Sequence, residues 1–375
     1  MQIYLVVENL LLGGYQRLAL DQAYCFSKMG HSVSIISMTA ESPEQDNLEK
    51  LEEDIIDKYK VRVIHCGGSR FRQLNAMRKL IGRTNPGQPI IVHSLRASVI
   101  IYFIKILFGR DYRILTTIHQ LPSLSAPLQR LKRYFYAQFC DYLFAYSEAV
   151  KLDWESRLSK SVLLRSIIFP KKINLLRNGI FLDRLPKRAG PISHQSPQVF
   201  PKRIVYLGRV TSWKGLGKFY SSVLLPELSQ SEILMIIPSV SSGNIGELMA
   251  PVAFSRTTVV SGKTILGYSP SQLDIHFYPV EYPRNAKFIE SISLNCLEMA
   301  CLGVRSFVTA GGVGTWPDLL SAKIFVEVDW NQLNDQIATK LEAAKVQLSE
   351  DQIVRIRETI DIQNQIDSYL KVFKL

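Results

Sequence analysis

Two acids in the second half of the chain, Glu290 and Glu298, are separated by seven mostly apolar or small residues. Ser293 is a helix N-cap type, and a helix from there to Leu302 leaves Glu290 in the preceding loop and Glu298 a turn and a half inside. The free N–H groups and positive dipole end at such a helix start suit a diphosphate, and the carboxylates can accept hydrogen bonds from ribose or sugar hydroxyls. That site comprises Glu290, Ser291, Ile292, Ser293, Leu294 and Glu298. The same spacing on a core helix would merely carry two surface glutamates, so the surroundings decide. Upstream, Gly208-Arg209 follows an apolar run and Lys214-Gly215 comes soon after. Arg209 and Lys214 can neutralise a diphosphate, both on binding and as charge gathers on a departing nucleotide, or they can pair with acids. Asp-x-Asp is absent, so no metal and no cofactor are expected. A Gly-x4-Gly-Lys-[Ser/Thr] loop is also missing, which argues against an ATPase.

Chemistry in the first half rests on glycines and histidines. Gly13 and Gly14 stand where a first helix starts, a place where backbone can approach a ligand closely or simply turn tightly. His119 ends an apolar run at Ile114 to Ile118, and His93 ends another before Ser94. A histidine at a strand end can polarise hydroxyls near neutral pH. His93 is the candidate for acceptor contact, while His31 reads as a turn residue.

The elements that must position these residues alternate short β-branched runs with longer amphipathic stretches, the signature of βαβ units and a parallel sheet covered on both faces. Strands are predicted at 3–7, 32–37, 61–65, 90–93, 114–118 and 142–146, then at 203–207, 233–237, 257–260, 275–279, 305–309 and 324–328. Residues 41–60 carry eight acids and read as a solvated helix or loop; the last 25 residues read as helix. Between the two sets, Pro186, Gly190, Pro191, Pro197 and Pro201 mark a linker. The expected architecture is α/β: two Rossmann-like, doubly wound domains, 1–185 and 203–375, joined by 186–202 and facing across a cleft, with the last helix able to pack back on the first domain.

The net charge of +12 is unevenly spread. Residues 1–60 hold 5 Lys+Arg against 10 Asp+Glu, residues 61–190 hold 23 against 6, and residues 191–375 hold 17 against 17. The basic stretch 61–190 suits an anionic surface. From Arg130 to Lys172 cations alternate with Tyr134, Phe135, Tyr136, Phe139, Trp154 and Phe169, a mixture that fits an anionic membrane; no nucleic-acid module is recognisable and none is expected as partner. The apolar stretch from Ala97 to Phe108 is broken by Lys105 and too short to span a bilayer. The strand-like start has no leader pattern, which places the protein in the cytoplasm, peripheral on the inner face of the cell membrane. Five scattered cysteines read as buried reduced thiols.

Taken together, these motifs resemble the family-four retaining glycosyltransferases of GT-B fold, of the bacterial surface polysaccharide type. Val205-Tyr206-Leu207-Gly208-Arg209, Lys214-Gly215, Glu290-x7-Glu298, Ala300-Cys301-Leu302-Gly303 and Gly311-Gly312 carry the likeness in the second half. Gly13-Gly14, Gly30-His31, His119, Tyr146-Ser147-Glu148 and Arg177-Asn178-Gly179 extend it through the first, the last two as loop-shaping landmarks. The resemblance implies a metal-independent transferase that moves a sugar from a nucleotide-sugar donor to a glycan or lipid-linked acceptor. Its catalytic residues would be His119, Glu290, Arg209 and Lys214, with Gly13, Gly14, Gly208, Ser291 to Leu294 and Glu298 at the donor and His93 towards the acceptor. Where the family often has Gly-aromatic-Gly, this chain has Ser291-Ile292-Ser293, which leaves open a catalytically inactive scaffold or partner subunit at the membrane.

Overall fold

The computed structural model describes residues 1–11, 13–40, 47–82, 86–119, 127–159, 173–187, 200–208, 214–237, 253, 255–261, 265, 268–271, 273–280, 293–309, 324–345 and 348–373, by backbone alone at 70, 71, 127, 149 and 157–159. The chain forms two compact units, Met1–Phe181 with Asp361–Leu375, and Leu182–Asn285 with Ile292–Ile360.

The first unit winds seven parallel strands, β1 (Gln2–Val7), β2 (Ser32–Ser37), β3 (Arg62–His65), β4 (Pro89–Val92), β5 (Arg113–Ile118), β6 (Tyr142–Ala145) and β7 (Ile173–Leu175), in the order β3-β2-β1-β4-β5-β6-β7. Register runs Gln2↔Ser32 between β1 and β2 and Tyr4↔Ile90 between β1 and β4. Ile3, Leu5, Val6 and Val7 are fully buried, as expected of a strand covered on both faces. The connections hold α1 (Gly14–Lys28), α2 (Leu48–Leu51), α3 (Glu53–Lys58), α4 (Arg70–Ile81), α5 (Leu95–Leu107), α6 (Pro127–Tyr136) and α7 (Glu148–Ser159).

The second unit repeats the plan with β8 (Arg203–Leu207), β9 (Glu232–Ile237), β10 (Thr257–Ser261), β11 (Asp274–Tyr278), β12 (Arg305–Thr309) and β13 (Phe325–Val328), in the order β10-β9-β8-β11-β12-β13. Its helices are α8 (Leu216–Val223), α9 (Leu294–Cys301), α10 (Leu333–Lys345) and α11 (Glu350–Ile360). In both sheets the order reverses once, beside β1 and beside β8. The carboxyl ends flanking such a reversal are where doubly wound sheets leave room for ligands.

Three features depart from the sequence reading. β7 has no counterpart in the predicted strands, because three residues next to Lys171 and Lys172 are too few to show a period. The acidic stretch is not wholly solvated: Glu52 is buried, pairs with Arg17 at 3.0 Å and accepts from the Tyr24 hydroxyl at 2.9 Å. The final helix is two, because the chain leaves α11 at Asp361 to bridge Ile180 before α12 (Ile362–Phe373) begins, with Ile362 N–H donating to the Ile180 carbonyl at 3.0 Å. A Cβ on Gly179 would collide with the Ile362 backbone, so that glycine is required by the crossing. The five cysteines are buried and none forms a disulfide.

Candidate active site

In the first unit, the ends of β4, β5 and β6 bring His93, His119 and Tyr146 together. The rings of His119 and Tyr146 lie 4.4 Å apart, those of His93 and His119 5.6 Å apart. Tyr15, in the first turn of α1, packs its ring 5.2 Å from His119, so the Gly13-Gly14 start of the helix adjoins the cluster. Gly14 is exposed, has no positive φ, and a Cβ there would meet nothing within 4 Å; the fold itself does not demand glycine. Gly13 caps α1 in extended conformation, against the flexible end of Gln16.

Hydrogen-bond direction fixes how the histidines are presented. Thr117 Oγ1 donates to the Val92 carbonyl at 3.2 Å, which leaves its lone pairs for the His119 Nε2–H at 3.0 Å. Protonation at Nε2 makes Nδ1 of His119 an acceptor. His93 Nε2–H donates to Gln22 Oε1 at 2.9 Å, and its Nδ1 faces Thr117 Oγ1 at 3.3 Å and the Tyr146 hydroxyl at 3.4 Å. Gln22, on α1, turns its amide nitrogen to Gln365 Oε1 at 2.8 Å and the Tyr369 hydroxyl at 3.0 Å, both from α12. Burial lowers the His93 pKa to about 3 and, helped by His93, that of His119 well below its ordinary value. Both rings are therefore neutral at pH 7. His119 remains partly exposed, whereas His93 is 4 % exposed with both nitrogens engaged. Acceptor contact at His93 is thus not what its surroundings favour; it holds His119 in place.

In the second unit, Ser293 caps α9 by accepting from the Asn295 N–H at 3.3 Å. Asn295 Nδ2 donates to the Leu207 carbonyl at 2.8 Å, which ties the helix start to the end of β8 beside Gly208. Gly208 has φ 138°, a conformation side chains rarely adopt. Lys214 follows, its Nζ donating to the Tyr278 hydroxyl at 2.7 Å at the end of β11. A Cβ on Gly215 would collide with the Pro279 carbonyl, so glycine lets the Lys214 loop lie against that strand end. Burial, helped by the Lys214 charge, lowers the pKa of His276 to about 3; burial pushes the Cys296 thiol up, and the Lys214 charge opposes it. A cation and a capped helix N-terminus thus share the carboxyl ends of β8 and β11, an arrangement able to take a diphosphate.

Glu298 lies inside α9 where its spacing puts it, but its carboxylate has another partner than a ligand hydroxyl. Its side chain is 2 % exposed and ion-paired with Arg184, itself fully buried. The carboxylate expected on ribose is engaged inside the unit, anchoring α9. Leu294 is also buried, so only its backbone is available to a ligand. Arg209, Glu290, Ser291 and Ile292 lie outside the described residues. Among the described residues, no group of three or more His, Cys, Asp or Glu is arranged to hold a metal ion. Gln22, Thr117, Gln365 and Tyr369 escape sequence reading because polar residues inside helices and strands carry no motif; Tyr146 was visible only as a landmark.

The most similar solved folds include sucrose-phosphate synthase from Thermosynechococcus elongatus (TM-score 0.69, 14 % identity, covering 100 % of this chain and 98 % of that one). The Anabaena protein HepE in complex with UDP and glucose gives a TM-score of 0.67 at 12 % identity, covering 100 % and 99 %. A glycosyltransferase from Rickettsia africae gives 0.65 at 18 %, covering 100 % and 97 %. No curated protein matches the sequence significantly. Two parallel α/β units with ligand-ready strand ends and these neighbours define the GT-B fold. Residues 12–184 match the model of Glycosyltransferase Family 4, which marks the chain as a glycosyltransferase.

Proposed function

We propose that the protein is a metal-independent, retaining transferase that moves a hexosyl group from a nucleotide-sugar donor to a glycan or lipid-linked acceptor in surface polysaccharide synthesis, working peripherally on the inner face of the cell membrane. The observation that carries the donor assignment is the convergence of Lys214, Gly208 and the Ser293-capped start of α9 at the ends of β8 and β11. A helix N-terminus and a cation together match a diphosphate, and the same groups stabilise the charge that builds up on the departing nucleotide. HepE, bound to UDP and glucose in its solved structure, lends support by likeness of fold.

In this reading Arg209 joins Lys214 on the diphosphate, and Glu290 with Ser291 to Leu294 lines the sugar. Glu298 holds α9 in position. His119 accepts a hydrogen bond from a donor-sugar hydroxyl at Nδ1, and Gly13-Gly14 keep the approach open. The family-four resemblance supports retention of configuration, and the absence of Asp-x-Asp supports metal independence.

Thermal shift with UDP, GDP and their sugars is the direct test: the matching nucleotide should stabilise the protein by about 2.7 kcal/mol at a hundred times its Kd. Proton NMR of the product from the stabilising donor, with EDTA present, should show a retained anomer. The second reading, an inactive scaffold, is motivated by Ser291 and Ser293 standing where glycines are frequent. Stabilisation by no nucleotide, together with no transfer, would favour it.

A further inference from the structure

We infer that the outer faces of α5 and α6 form one apolar, cation-flanked surface that seats the first unit on an anionic bilayer. α5 turns Ala97, Ile101 and Ile104 into the core. On its other side and just beyond its end it leaves Phe103, Ile106, Leu107 and Phe108 in solvent, Ile106 at 60 % and Leu107 at 67 % exposure. α6 does the same with Leu128, Leu131 and Phe135, which recur on one face; Leu128 is 78 % exposed. The two helices pack side by side, and Phe139 joins their exposed faces. Its ring lies 5.8 Å from that of Phe103 on α5 and 5.0 Å from that of Phe135 on α6. Scattered exposed leucines need no explanation, but a contiguous apolar patch of this extent marks an interaction surface.

Charge selects the occupant. Residues 101–140 hold six Lys+Arg and one acid, Asp111. Arg110 and Lys132 are exposed around the patch, while Lys105 is tied to Asp141 at 2.9 Å. A second copy of this chain on the same face would set these cations against their own kind with little acid to answer them. A bilayer with anionic headgroups answers both features: acyl chains receive the leucines and phenylalanines, and phosphates receive the cations. No described helix is long and apolar enough to cross the membrane, so the contact is interfacial. The structure also redraws the surface that residues 130–172 suggested. Of its aromatic residues, Tyr134 and Trp154 are buried against each other, Phe135 and Phe139 do contribute to the surface, and Phe169 lies outside the described residues; α5 supplies much of the remaining exposed apolar area.

The inference rests on the transferase reading only in that a lipid-linked acceptor gives the docking its use. It is tested by co-sedimenting the full chain with phosphatidylcholine vesicles, with and without phosphatidylglycerol, at low salt. The wild type should pellet with the anionic vesicles alone. A Leu107→Ser/Leu131→Ser variant, which keeps every charge, should lose at least tenfold in partition, and an Arg110→Glu/Lys132→Glu variant should lose a similar factor. Both should keep the wild-type thermal shift with UDP, which separates failure of docking from failure of the donor site. Wild type that stays in the supernatant, apolar variants that pellet undiminished, or a dimer in solution that the same substitutions dissociate would each overturn the assignment. A protein that docks but gains no stability from any nucleotide would leave the surface standing and remove the transferase reading.

Discussion

Both units wind their sheet in the same order around the reversal, yet they furnish the strand ends with different materials. The first gathers uncharged side chains, two histidines, a tyrosine, a threonine and glutamines, into a directed hydrogen-bond network. The second offers backbone N–H groups, a left-handed glycine and a cation, over a buried Arg184–Glu298 pair. The difference teaches that one end is built to hold a ring in a particular tautomer and the other to hold charge. The first should therefore fail when a hydrogen bond loses direction or a proton is added, and the second when a charge is removed.

The largest effect should come from the ion pair. Glu298→Ala leaves the Arg184 guanidinium buried without its carboxylate, and losing one partner of such a pair costs about 3–5 kcal/mol. Melting should fall by about 10 °C for a unit of this size. A melting temperature within a degree of wild type would break the anchoring role and return Glu298 to the ligand. Lys214→Ala tests the other half of the contrast: turnover should drop about a hundredfold, or ~2.7 kcal/mol, with melting little changed. Equal loss of stability and activity would mean that Lys214 serves Tyr278 rather than a donor.

Much of the fold was legible because parallel strands buried on both faces announce themselves as β-branched runs; the predicted edges differ from the observed ones by a residue or so at β4, β5 and β11. The helix cap at Ser293 was legible for a local reason, since capping depends on residues next to one another in sequence. What lay beyond reading was long-range partnership. Glu298 meets Arg184 more than a hundred residues away, and His93 meets Gln22, which in turn meets α12 near the other end of the chain. Nothing in the spacing of Glu290 and Glu298 reveals that one of them is already engaged.

Acid should separate the units next. His93 and His119 in the first, and His276 in the second, have folded pKa values lowered by burial from 6.5, His93 and His276 to about 3. Below pH 6.5 the unfolded chain takes up protons that the folded rings refuse. Stability contributed by these neutral rings is thus complete above that value and lost as pH falls towards 3. Each group adds about 1.4 kcal/mol of destabilisation per pH unit in that window. With His93 and His119, and His31 also lowered by burial, in the first unit against His276 among the described residues of the second, hydrogen exchange at β5 should accelerate more steeply than at β11 between pH 6 and 4. Equal slopes would erase the proposed contrast.

Tyr369→Phe should have the smallest effect, and it resolves the network most finely. The substitution removes one hydroxyl, which accepts from Gln22 at 3.0 Å and lies 3.1 Å from the Tyr146 hydroxyl, and keeps the ring packed on Phe144. Net loss of such a hydrogen bond costs about 1 kcal/mol. Gln22 would still be held by Gln365, so His93 should keep its acceptor and His119 its Nε2 proton. Nitrogen-15 NMR of the imidazoles should then report the same tautomers as wild type. Gln22→Leu, by contrast, strips the acceptor from His93 Nε2–H and should shift its ring nitrogens. If Tyr369→Phe already changed the His119 tautomer, α12 would be setting the ring directly and not through Gln22.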